Sequence, residues 1–216
     1  MPIVFVSVAD PVAGGFVASL SRPGGNITGF ALFEFGLSGK WLELLKQVAP
    51  QLTRAAVIRD PGQVSGGGQF GAIQAVAPSV GVEVRPIDVR DTSEMERSVA
   101  AFARQSNAGL IVTATALAQI HRELVISLAA QYRMPAIYPY HLFVRDGGLM
   151  SDGPDIVDQY RRAASYVDRI LKGEKAADLP VQAPTNYVLA INRKTAKTLG
   201  IELPQTLLAR ADEVIE

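Results

Sequence analysis

The chain has 216 residues, 48% hydrophobic and 19% charged, enough for one large domain or two small lobes with real cores. Its 21 basic and 21 acidic side chains cancel, so no basic surplus advertises nucleic acid and no long charge block forms a tail. The absence of cysteine excludes disulfides, thiolate metal sites and cysteine nucleophiles.

The run Ile3 to Val8 is apolar and β-branched and ends at Asp10-Pro11, as a strand buried on both faces does. "VAGGFVASL" is then expected to be a helix, and "SRPGGNITGF" a Gly-rich turn followed by a short strand. "LSGKWLELLKQVAP" places Trp41, Leu44, Leu45 and Val48 at helical spacing, with Ser38 as N-cap and Pro50 as stop. "RAAVIRD" is a second buried strand, ending at Asp60-Pro61. A helix carrying Phe70, Ile73, Ala77 and Val80 leads to the strand "VEVRPIDV". The next helix has capping-box spacing at Ser93 and Glu96, with Met95, Val99 and Phe102 as its buried stripe. "AGLIVTAT" is a strand, "IHRELVISLAAQYR" a helix, "MPAIYPY" a strand and "GGLMSDG" a short strand or loop. The helix "DIVDQYRRAASYVDRILKG" is expected to bury Ile156, Tyr160, Ala163, Val167 and Ile170, with Gly173 as its C-cap. The tail reads as the strand "NYVLAIN", the helix "RKTAKTLG" and the segment "PQTLLARADEVIE".

Strands separated by helices in this way call for βαβ units and an α/β, parallel, doubly wound sheet. Residues 37–149 contain a complete set and are expected to form a whole lobe. Residues 1–36 and 150–216 flank it and are expected to form a partial second lobe with the crossovers. In that partial lobe Ile3 to Val8 should pair with Asn26 to Phe30, and with Asn186 to Asn192 as a further neighbour.

Five blocks carry a resemblance: "PIVFVSVADPV", "SRPGGNITGF", "GKWLELLKQVAP", "YPYHLFVRDGGLMSDGPD" and the long segment from "DQYRRAASYVD" to "AKTLG". In this order they are similar to the ABC-transporter substrate-binding protein family that includes tryptophan-binding lipoproteins. The resemblance implies a type I periplasmic-binding-protein fold: two Rossmann-like lobes, hinge crossovers, and a small ligand, often an amino acid, held in the cleft. It also implies a membrane permease as partner and a periplasmic location. Family members carry an export signal and about one hundred residues ahead of the block matching Pro2 to Val12. This chain shows neither a positive n-region nor a signal-length apolar core, so a cytoplasmic location is the alternative. No stretch approaches the roughly 20 apolar residues of a membrane span.

Ligands of open α/β sheets sit at the carboxyl ends of strands. Those ends offer Asp10, Asp60, Thr113, Thr115, Tyr140 and, at the return crossover, Asp152. An amino acid needs hydroxyls or backbone N–H groups for its carboxylate, a carboxylate for its ammonium and aromatic walls for its side chain. Competing roles stand beside each assignment: Asp before Pro is a common turn residue, Asp152 is placed to cap the following helix, and Tyr138 suits sheet packing as well as a cleft wall. "PGQVSGGGQFG" has neither G-x-G-x-x-G in register nor a Walker lysine, and reads as a flexible loop over the cleft. His121 and His141 lack metal-ligand spacing. No nucleophile elbow or Ser-His-Asp order appears. The sequence therefore points to a binding protein with no cofactor and no metal, not to an enzyme. A cytosolic ligand-sensing or non-binding remnant of such a protein is the alternative function. Weak or absent affinity is expected, because the resemblance places the other cleft wall largely in the preceding segment. The unpaired edge left on the first strand is expected to recruit a second copy, giving a homodimer.

Overall fold

A computed structural model describes residues 1–32 and 35–216. In chain order its strands are β1 (Ile3–Val8), β2 (Ile27–Ala31), β3 (Arg54–Arg59), β4 (Glu83–Asp88), β5 (Ala108–Val112), β6 (Ala136–Tyr138), β7 (Met150–Pro154), β8 (Tyr187–Asn192) and β9 (Glu213–Ile215). Its α-helices are α1 (Gly39–Val48), α2 (Val64–Val76), α3 (Thr92–Ala103), α4 (Ala116–Ile120), α5 (Arg122–Gln131), α6 (His141–Arg145), α7 (Ile156–Leu171), α8 (Arg193–Leu199) and α9 (Gln205–Leu208). The chain divides into two compact units, Met1–Glu34 with Pro154–Tyr187, and Phe35–Gly153 with Val188–Glu216.

In the smaller unit β1 and β2 pair in parallel, Ile3 opposite Ile27 through Val8 opposite Ala31, with an irregularity at Ser7, whose φ is 61°. A Cβ at position 29 would meet the Phe5 carbonyl oxygen at 2.1 Å, so only glycine lets the two strands approach there. α7 lies across this pair. It packs Ala163 and Tyr166 onto Phe30 and Leu179, with the Phe30 and Tyr166 rings 5.0 Å apart. Buried Gln159 accepts from Ser7 Oγ at 3.1 Å and donates to the Ala31 carbonyl at 3.2 Å, tying α7 to both strands.

The larger unit is built on a seven-stranded sheet of order β4-β3-β5-β6-β7-β8-β9. The pairs β3–β4, β3–β5, β5–β6, β6–β7 and β8–β9 are all parallel. Strand alternation sends Ala56, Ile58, Leu110, Val112, Ala136 and Tyr138 to one face, where Met95, Val99, Phe102, Val125 and Leu128 of α3 and α5 cover them. The opposite face carries Val57, Ile111 and Ile137, all wholly buried. α1 and the turn after it seat so tightly there that a Cβ on Gly109 would strike Leu52 at 2.6 Å and Leu45 at 3.1 Å. The strands expected from "RAAVIRD", "VEVRPIDV", "AGLIVTAT" and "MPAIYPY" are present as β3 to β6, and Val57, Ile58, Leu110, Ile111 and Val112 are buried.

Five expectations change. Residues 12–20 are a succession of turns, not a helix: Phe16 and Val17 both donate to the Pro11 carbonyl, and Gly15 takes a φ of 71° that no helix accommodates. The "VSGGGQFG" run is not a loop but the first two turns of α2. The cap of α3 is Asp91, whose carboxylate accepts from Glu94 N at 2.9 Å; Ser93 lies inside the helix. On α7 the inward residues are Gln159, Ala163 and Tyr166, while Tyr160 and Val167 are exposed. Finally, β8 does not pair with β1. It joins the large sheet beside β7, where Asn192 N donates to the Leu149 carbonyl and its amide to that of Val144.

Candidate functional site

The carboxyl ends of β3, β5, β6 and β7 lie side by side in the larger unit, and five of the six sequence candidates stand there. At the end of β3 the chain must turn sharply into α2. Asp60, buried, accepts from Gly62 N at 2.8 Å through Oδ1 and from Gln63 N at 3.2 Å through its carbonyl. The first turn of α2 rests directly on this carbonyl: a Cβ at Gly66 would lie 2.4 Å from it. Asp60 is thus spent on shaping the β3–α2 corner, the turn role that Asp-Pro suggests.

At the end of β5 the wholly buried Thr113 donates its hydroxyl to the Ile58 carbonyl at 2.8 Å, stitching β5 to β3 beyond the last ladder pair. Thr115 caps α4, its hydroxyl accepting from Ala118 N at 3.2 Å. Between them, Ala114 N donates to the side-chain oxygen of Gln69 at 2.8 Å. Gln69 reaches this corner from α2 and is wholly buried, yet its Nε2 has no hydrogen-bond partner among the described residues. A buried amide donor without an acceptor costs about 1–3 kcal/mol, which singles out Gln69 among the side chains of this corner. Sequence reasoning missed Gln69 because it lay inside the glycine-rich run read as a loop.

Tyr140 follows β6 and precedes α6. Its hydroxyl bonds the Gln119 side chain, and burial pushes its pKa well above the ordinary tyrosine value, that hydrogen bond opposing the shift. Tyr138 is sheet packing: it is fully buried, stacks on Phe143 at 5.0 Å, and burial likewise raises its pKa. Asp152, in β7, does not cap α7; Asp155 does, accepting from Asp158 N at 3.1 Å. Instead Asp152 meets half-exposed Lys40 at 2.8 Å, and its carbonyl accepts from Trp41 Nε1 at 2.7 Å. The start of α1 therefore supplies both a counter-charge and a backbone anchor for the end of β7. Lys40 was not singled out from the sequence because nothing local pairs it with a residue 112 positions later. The sixth candidate, Asp10, belongs to the smaller unit, where its carboxylate accepts from Ala13 N at 2.8 Å and holds a turn.

At the end of the neighbouring β4, Arg90 clamps Asp88 through both carboxylate oxygens and holds that carboxyl below its usual range. His121 lies between α4 and α5 and His141 opens α6, and the described residues contain no group of three potential metal ligands. No described helix is long and apolar enough to cross a membrane.

A mostly parallel seven-stranded sheet wrapped by helices, beside a smaller unit built on a parallel strand pair and α7, defines a type I periplasmic-binding-protein-like chain. Residues 1–215 match the family model for ABC transporter substrate binding proteins, and the chain belongs to that family. It is 26% identical over 202 residues to a tyrosine-binding protein of Clostridioides difficile and spans 58% of that relative's length. Among solved structures it resembles an ABC domain from Streptococcus pneumoniae in complex with L-Trp, with 26% identity and a TM-score of 0.89, covering 99% of this chain and 72% of that one. It also resembles the ligand-free, open structure of a Clostridium difficile substrate-binding protein with adhesive properties, with 25% identity and a TM-score of 0.76, covering 100% of this chain and 71% of that one. A regulator of the LacI family from Bifidobacterium animalis, 12% identical at a TM-score of 0.57, shares the fold alone.

Proposed function

We propose that the chain is the solute-binding component of an ABC import system and that its ligand is an amino acid or a similar small organic molecule. The observation that carries this reading is the buried, unpartnered Nε2 of Gln69 at the joined ends of β3 and β5. An amide donor fixed by its own oxygen suits a ligand carboxylate, and a hydrogen bond to a charged group contributes about 1.5–3 kcal/mol. Asp60, Thr113, Thr115, Tyr140 and Asp152 frame this corner, most of them by holding backbone in place. The partial unit corresponds to the N-terminal-type lobe and the larger unit to the C-terminal-type lobe. The reading is binding and not catalysis, outside the cytoplasmic membrane, with a membrane permease as the receiving partner. Self-association as a homodimer accompanies it.

A thermal-shift screen across the amino acids, tyrosine and tryptophan included, tests the reading. Ligand at about 100 times its dissociation constant stabilises by roughly 2.7 kcal/mol, which raises Tm by about 5–10 °C for a chain of this size. Gln69→Glu keeps the acceptor for Ala114 N and removes the donor, and should weaken binding at least about tenfold. No shift with any amino acid refutes an amino acid as the ligand of this chain. A shift that Gln69→Glu leaves intact refutes the role of Gln69.

A further inference from the structure

A cavity of about 150 Å³ opens between α5 and α8, wholly within the larger unit. It lies at the amino ends of β6 and β7, away from the carboxyl ends that carry the candidate site. Its floor is buried Ala129, Met134, Ala136 and Leu149, while Ala130, Arg133 and Thr198 stand exposed at its mouth. Thr195 donates its hydroxyl to the Gly147 carbonyl at 2.8 Å and Thr198 to that of Lys194 at 2.9 Å, so both lining hydroxyl protons are already used. That leaves Arg133, the one charged residue of the lining among the described residues. Its side chain makes no hydrogen bond or ion pair among those residues, whereas Arg122 and Arg145 are paired with Asp146 and Glu213. Its backbone is also unusual. Arg133 ends α5 at a φ of 50°, its N donating to the Ala130 carbonyl and Met134 N to that of Ala129. This is the left-handed helix stop that glycine or asparagine normally occupies. A residue with a Cβ is disfavoured there, so arginine at this position is an outlier that stability does not explain.

We propose that this cavity is a second ligand site, for a small branched aliphatic carboxylate that carries no amino group. It goes beyond the function proposed above and does not depend on it. An apolar cavity of this size accommodates a molecule about as large as benzene, so the floor takes a compact tail of about five carbon atoms. The carboxylate then stays at the mouth, where the Arg133 guanidinium offers a planar fork that matches it. No acidic residue lines the cavity among the described residues. An α-ammonium would stand beside the Arg133 cation with no carboxylate to offset it. This site therefore disfavours amino acids, the opposite preference to that of the strand-end corner.

The probe is 4-methylpentanoate, and the comparison is leucine, which adds only the amino group to the same skeleton. With isotope-labelled methionine methyl groups observed by NMR, the Met134 signal should move on titration, and that of Met95, which does not line the cavity, should not. The expected dissociation constant is about 1 mM or below, a modest demand on about eight non-hydrogen atoms. Arg133→Gly should weaken binding at least about tenfold, while the free chain becomes no less stable, because glycine is unstrained at that φ. Ala130→Trp, at an exposed position, should block the mouth and abolish the Met134 response with an unchanged circular dichroism spectrum. No Met134 response at about 20 mM 4-methylpentanoate overturns the site. Equal affinity for leucine overturns the ligand class. Undiminished affinity in Arg133→Gly overturns the role of Arg133, and undiminished affinity in Ala130→Trp overturns the cavity as the place of binding.

Discussion

Alanine at position 66 and alanine at position 67 should shift stability in opposite directions, although the two glycines are adjacent in one helix. In a helix interior alanine is favoured over glycine by about 0.8–1 kcal/mol, partly because glycine loses more freedom on folding. Around Gly67 a new Cβ meets nothing within 4 Å, so Gly67→Ala should gain most of that amount. At Gly66 the Cβ would lie 2.4 Å from the Asp60 carbonyl oxygen and 3.2 Å from Asp60 N. The obstacle is backbone, held by the Gly62 and Gln63 hydrogen bonds, and cannot swing aside as a side chain would. Displacing α2 to admit the methyl costs about 1–3 kcal/mol of packing strain, more than the propensity gain. Gly66→Ala should therefore lose about 1–2 kcal/mol net, and the two variants should differ by about 2–3 kcal/mol. Urea denaturation followed by circular dichroism measures this as a displacement of the midpoint at constant slope. Equal midpoints for the two variants would refute the reasoning, since they would mean that α2 does not rest on Asp60.

Removal of the α3 cap by Asp91→Ala should cost about 1 kcal/mol, whereas Ser93→Ala should stay within about 0.5 kcal/mol; the same urea titration separates them, and a larger loss at Ser93 would restore the capping-box reading. Burial raises the Tyr138 pKa in the folded state, so the native chain keeps that proton while the unfolded chain releases it from about pH 10 upward. The unfolded state then binds fewer protons, and stability present below pH 10 should fall as pH rises above it. Tyr138→Phe should flatten that decline in thermal unfolding between pH 9 and 11, and an unchanged slope would count against the burial argument.

Sequence alone was sufficient wherever structure is set by short-range pattern. The runs at 54–59 and 108–112 are apolar on both faces, and only a strand between two helix layers buries such residues, so β3, β5 and their buried Val57, Ile58 and Leu110 to Val112 were legible. β1 was legible as an apolar, β-branched run and β2 as the short strand after the glycine-rich turn. The errors fall where a distant segment decides. Three successive glycines carry no helical signal; α2 is helical there because Gly66 seats on Asp60 and Gly68 on the ring of Phe35. The pattern of α7 contains several apolar faces, and which one is buried depends on where β1 and β2 lie beneath it. Strand β8 has the composition to pair in either unit, and the hydrogen bonds of Asn192 to Leu149 and Val144 place it. The candidate site divides along the same line: its strand-end positions follow from periodicity, but the partners of its side chains do not. Lys40 beside Asp152 and Gln69 beside Ala114 are contacts across 112 and 45 positions. Periodicity is a property of neighbouring residues, whereas partner choice is made by the packed chain as a whole.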